Sequence, residues 1–181
     1  MRKKSEDLSA LQQLLSNEDF ASILEHAKDR KHILSKLTAL TYNDDLTVSN
    51  HAIKATGLAA KVIAEHDPEY VRNTLLRLFW LVNDESGGIG WRAPELIGEI
   101  LYNCPKFEQF FPMLISLLTL EEEDRARFQV GTLWAIGRVA QVARDAMLPA
   151  LPLVQTYTSF DNERELRETA SWCIGQLKPE K

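Results

Sequence analysis

The chain has few cysteines, no excess of basic charge and no long apolar run, and each scarcity removes a class of function. Cys104 and Cys173 are the two cysteines, and their wide separation supports neither a disulfide framework nor a cysteine metal site. A net charge of -5 and a pI near 5.4 deny the chain the positive field that non-specific phosphate binding needs. No apolar stretch reaches the roughly 18 residues required to span a bilayer. Met1-Arg2-Lys3-Lys4 leads into acidic and polar residues, so a signal peptide is not expected and the cytoplasm is the expected compartment. His26, His32, His51 and His66 lack the spacing of a metal pair. No G-x-S-x-G, Cys/His pairing or Cys-x-x-Cys occurs either. No catalytic residue, cofactor or metal is therefore expected.

What is present is apolar material in a regular order. Hydrophobic residues make up 45% and charged residues 26%, enough for a core and too apolar for a disordered chain. Ala52-Ile-Lys-Ala-Thr-Gly57-Leu-Ala, Ala93-Pro-Glu-Leu-Ile-Gly98-Glu-Ile, Thr132-Leu-Trp-Ala-Ile-Gly137-Arg-Val and Ala170-Ser-Trp-Cys-Ile-Gly175-Gln-Leu share one pattern. Each has a small residue five before the glycine and an apolar residue two after it. From Gly57 through Gly98 and Gly137 to Gly175 the intervals are 41, 39 and 38 residues, the period of a two-helix repeat. Glycine inside a helix costs roughly 1 kcal/mol against alanine, so its recurrence at one register implies a common cause, the close approach of a neighbouring helix.

Between these helices the spacing predicts partner helices over Arg30 to Thr41, Glu69 to Val82, Lys106 to Thr119 and Ala146 to Tyr157. Pro68 and Pro105 fall in first turns. Residues 1–29 predict a capping pair of helices, with Ser5 and Asn17 as candidate caps. Residues 30–178 form the repeat array, one continuous domain with the cap, and the last glycine helix stops near Leu177. The fold class expected is all-α: an α-α superhelix of about four helix pairs.

These glycine-marked segments resemble the HEAT-repeat superfamily, including its bilin-lyase-like units, over roughly residues 30–178. Asp45, Asp124 and Asp161 stand near the place of the family's usual aspartate, whereas the second repeat has a glycine loop there. The resemblance implies a solenoid that serves mostly as a binding scaffold and occasionally as an enzyme or an enzyme's partner.

Register on the glycines separates buried from exposed positions. Five, two and one before and two after are small or apolar, as a core stripe should be. Three before, one after and four after hold Lys54, Leu58 and Lys61; Glu95, Glu99 and Tyr102; Trp134, Arg138 and Gln141; and Trp172 and Gln176. Such spacings share one helix face, which the resemblance places on the concave side. Trp134 and Trp172 share a register, so they are expected about 10 Å apart, either as packing between helices or as anchors for a partner. Glu95 and Glu99, one turn apart, could share a proton or hold a cation, although glutamates at this spacing are commonplace.

The turns before the glycine helices are acidic, at Asp44 and Asp45, Asp84 and Glu85, Glu121 to Asp124, and Asp161 and Glu163. Helix dipoles favour carboxylates there without any partner. Asn83-Asp-Glu-Ser-Gly-Gly-Ile-Gly-Trp-Arg92 gathers three of the eight glycines. Gly88, Gly90 and Ala93 formally match a dinucleotide fingerprint, but no strand precedes them. Either this loop is a tight connection folding Trp91 onto the core, or it presents Trp91 and Arg92 to a partner. Partner-binding candidates are thus Trp91, Arg92, Glu95, Glu99, Tyr102, Trp134, Arg138 and Trp172. The function expected is a scaffold or adaptor for another protein or peptide segment, with neither membrane nor nucleic acid as partner. The rival is a HEAT-like enzyme or subunit, lyase-like or DNA glycosylase-like; Glu95, Glu99 and the acidic balance oppose the basic face that such glycosylases use.

Overall fold

The computed structural model describes residues 2–29, 31–83, 92–119 and 126–178, and every regular element among them is helical. Trp91, the glycines of the loop, Asp84, Glu85 and Glu121 to Asp124 lie outside the described residues. At the N-terminal end α1 (Arg2–Ser16) and α2 (Phe20–Asp29) form a pair. Ser5 lies inside α1 and Asn17 in the turn after it, so neither is the expected cap. Asp19 caps α2 instead: its carboxylate accepts from the Ser22 N–H at 3.1 Å and the Ser22 hydroxyl at 2.6 Å. Those two bonds hold its pKa below the usual value.

The remaining helices come in outer and inner partners. They are α3 (Ile33–Leu40) with α4 (Leu46–Ala64), α5 (Pro68–Asn83) with α6 (Ala93–Asn103), α7 (Phe111–Ser116) with α8 (Ala126–Met147), and α9 (Leu151–Thr156) with α10 (Arg164–Leu177). The inner helices α4, α6, α8 and α10 pack in chain order, each outer helix lies on its own partner, and α1 and α2 both rest on α4. The chain is therefore an all-α superhelix with a helical cap. Repeats are also tied by polar contacts: Lys106 donates to the Ala64 carbonyl at 2.6 Å and the Tyr157 hydroxyl to the Leu118 carbonyl at 2.9 Å, using carbonyls that helix ends leave unpaired.

Two outer helices depart from the expected spans. Lys106 to Thr119 is no single helix: a 3-10 stretch over Pro105–Phe110 precedes α7, and a 3-10 turn over Leu117–Thr119 follows it. Ala146 to Tyr157 is also divided, because α8 runs on to Met147 through a non-helical Ala143 (φ -142°, ψ 53°), and Leu148–Ala150 is 3-10. Pro105, Pro112, Pro149 and Pro152 each stand in the first two positions of a new stretch. Proline lacks the N–H that would bond back to the preceding turn, so each one starts a stretch rather than continuing one.

The core follows the glycine register. Ala52, Ala93, Thr132 and Ala170, five residues before the glycines, are buried, as are Ala59, Ile100, Val139 and Leu177, two after. The glycines explain themselves by what a Cβ would meet. At Gly57 it would lie 2.5 Å from the Glu99 carbonyl oxygen, at Gly98 2.6 Å from Ala135 Cβ, and at Gly137 2.4 Å from Cζ3 of Trp172. At Gly175 nothing lies within 4 Å. Three of the glycines thus seat a neighbouring helix, and the fourth faces open space.

The contrast is testable. Gly98→Ala should destabilise by about 1–3 kcal/mol, since overpacking against the Ala135 backbone outweighs the gain in helix propensity. Gly175→Ala should stabilise by about 0.5–1 kcal/mol through propensity alone. Urea unfolding measures both, and shifts of the same sign would refute helix contact as the cause of the repeat.

Candidate functional site

Along one side the inner helices together line a groove of roughly 480 Å³, within the size range of ligand pockets. α4 contributes Asn50, Ile53 and Lys54; Arg92, Glu95 and Glu99 come from the start and body of α6. Val130, Gly131 and Trp134 of α8 and Glu165 and Thr169 of α10 complete it. A second hollow of roughly 400 Å³ lies at the cap, with Ala10, Leu11 and Ile33 among its walls. Its charges are largely answered internally, Lys36 by Asp7 and Lys31 by Asp67.

Most charge in the groove is already engaged. Glu99 is 4% exposed; Arg138 Nε donates to its Oε1 at 2.8 Å and Asn103 Nδ2 to its Oε2 at 3.0 Å. The Arg138 guanidinium also stands 3.5 Å from the centre of the Tyr102 ring and donates to Gln141 at 2.8 Å. This is a bridge from α6 to α8. A carboxylate buried at a helix contact requires such partners, because an unpaired charge there would be prohibitively desolvated.

Arg92 is half-buried and braces the start of α6. Its Nη1 donates to Glu95 Oε1 at 3.0 Å, and its Nη2 lies 3.4 Å from the Ser49 hydroxyl. That hydroxyl donates to the Thr41 carbonyl at 2.6 Å. Glu95 is different from Glu99. Its Oε2 is buried with no donor, and it lies where a Cβ on Gly131 would be 2.6 Å away. Burial pushes the Glu95 carboxyl above its usual pKa, while its own backbone N–H and Arg92 pull the other way.

The structure therefore gathers Arg92, Glu95, Glu99 and Trp134 in the groove, and sets Tyr102 and Arg138 beside Glu99. Each of the two carboxylates is paired with its own arginine. Trp134 is half-buried against the core. Trp172 packs its ring on Gly137 and is 36% exposed, at the seam between α8 and α10 rather than among the groove's lining.

Asn50, Gly131, Glu165 and Thr169 were not singled out by the sequence pattern. A signal for two of them existed in the register: six before the glycine stand His51, Arg92, Gly131 and Thr169. Helical side chains lean toward the N-terminus, so the groove opens over the N-terminal halves of the inner helices.

The chain is similar to an uncharacterised protein of Archaeoglobus fulgidus, with 38% identity over 113 residues. The match covers 62% of this chain and 56% of the relative, so the chain spans little more than half the length of that protein. No family model and no solved structure matches the chain.

The pKa of Glu95 carries a consequence for stability. Because the folded value lies above the unfolded one, the group costs nothing below the unfolded value, and stability is lost as pH rises from there through the folded value. Glu95→Gln keeps the shape and stays neutral. Its melting temperature relative to the parent should rise from the ordinary carboxylate range to neutral pH, read by circular dichroism. A difference that is flat or shrinking with pH would mean that Arg92 fully offsets the burial.

Proposed function

We propose that the chain is a HEAT-type, cytoplasmic scaffold that holds a segment of another protein in the groove across its inner helices. The observation that carries this reading is the groove itself, which draws side chains of both charges and an aromatic wall from four successive helices. Extended surfaces of stacked repeats suit elongated partners. Lys54 and Glu165 are exposed at opposite walls, and neither has an ion-pair partner among the described residues. Opposite charges apart suit a polypeptide, which carries both signs, better than a phosphate backbone, which carries one.

A further observation supports the reading. Cys104 and Cys173 are free and buried, and burial pushes their thiols up to about 11 and about 12. Unreactive free thiols suit a reducing compartment.

Charge reversal tests the surface. A Lys54→Glu, Glu165→Lys double variant should lose proteins captured from native lysate, whereas Trp80→Ala on the outer helix α5 should retain them. Retention by the groove variant and loss by the α5 variant would place binding on the other side. Saturable binding of duplex DNA with a steep salt slope would replace the scaffold reading with a nucleic-acid one.

A further inference from the structure

Within that groove the two ends differ in what their charges lack. At the α4 wall the Lys54 ammonium lies 4.7 Å from the centre of the Phe20 ring, so it has an aromatic partner. On the α6–α8 floor, Glu95 shares Oε1 with Arg92 but leaves Oε2 without a donor. A buried carboxylate oxygen with no donor is costly, and the cost is removed when a donor arrives.

Gly131 is what lets that carboxylate sit so deep. The atoms nearest to a Cβ there would be those of the Glu95 carboxylate, at 2.6 to 3.2 Å. Any side chain at 131 would push the carboxylate out of this notch. On the neighbouring walls stand the Trp134 ring and the exposed Glu165 carboxylate. An aromatic face with carboxylates on two sides is an environment that attracts an ammonium or guanidinium group, through the ring's quadrupole as well as through charge.

We propose that Glu95, Trp134 and Glu165 form a pocket for a lysine or arginine side chain of the bound segment. The basic head inserts between the Trp134 face and the two carboxylates, and the Glu95 carboxylate turns out of the Gly131 notch so that Oε2 accepts the hydrogen bond it now lacks. Glu95 anchors the head in the floor, and Glu165 guides it from the rim. This inference rests on the scaffold reading but can fail separately from it.

The test uses the intact chain with N-acetyl-arginine amide and its neutral isostere N-acetyl-citrulline amide, followed by the NMR signals of the tryptophan indole N–H groups. The arginine probe should shift the Trp134 signal saturably and the citrulline probe should not. Glu165→Gln, an exposed change that leaves the fold alone, should weaken the arginine probe roughly two- to fivefold, as for an exposed charge partner. Glu95→Gln should weaken it by at least about thirtyfold, as for a desolvated one. Equal shifts with both probes, or no saturable shift with either, would overturn the pocket. If the arginine probe is silent while protein capture still depends on Lys54 and Glu165, the scaffold reading stands and the pocket fails. If the probe binds as expected while capture ignores the groove, the pocket stands and the scaffold reading fails.

Discussion

The near-contact of helix backbones at Gly57 and Gly98 sets most of what surrounds it. With Gly57 against the Glu99 carbonyl and Gly98 against Ala135, α4, α6 and α8 approach more closely than side chains ordinarily allow. Small residues must follow on the same faces, and Ala52, Ala55, Ala59, Ala93 and Ala135 are fully enclosed there. So close a seam also buries polar groups that a looser one would leave in water. Glu99, next to Gly98, is caught in this way, and Arg138, next to Gly137, reaches back across to neutralise it. The ion pair is a consequence of the glycine contact, and the Tyr102 ring under the guanidinium holds it in place.

Toward α10 the glycine contact changes partner. Gly137 meets an indole ring rather than a backbone, and Trp172 lies against it between α8 and α10. Beyond Gly175 the face changes character. In α8 the glycine is flanked, four before and three after, by buried Leu133 and Ala140; around Gly175 the same places hold exposed Ser171, in α10, and Lys178, just after it. The glycine register persists there after the apolar stripe that gives it purpose has gone.

These relations explain which parts of the molecule were legible from sequence. The register of glycines, small residues and aliphatics is a property of local spacing, and it led to the inner helices and their buried positions because one contact repeats. The breaks in the outer layer were also written in the chain, at Pro112, Pro149 and Pro152, but an apolar periodicity such as Phe110, Phe111, Leu114 and Leu118 masks them when read alone. The groove was only partly visible. Positions three before and one after the glycine found Glu95, Glu99 and Trp134, whereas Glu165 lies ten residues before its glycine, three turns away from the pattern's centre. The pairing of Arg92 with Glu95 has the i, i+3 spacing that brings side chains together on one helix, whereas that of Arg138 with Glu99 joins two helices and depends on rotamers that spacing does not encode.

Gly131 shows why the two kinds of glycine have to be separated. A helix glycine costs roughly 1 kcal/mol wherever it stands, and at Gly57 and Gly98 helix packing offsets that cost. At Gly131 no helix takes up the space, only a carboxylate whose Oε2 has no donor. Two unfavourable features therefore meet at one spot on the groove floor: a helix glycine and a buried carboxylate oxygen without a donor, the other oxygen of Glu95 being paired with Arg92. The two are coupled, because the Glu95 carboxylate fills the notch that the missing Cβ of Gly131 leaves between α6 and α8. A glycine of this kind admits a polar side chain to the helix seam, and the oxygen it covers carries the desolvation cost.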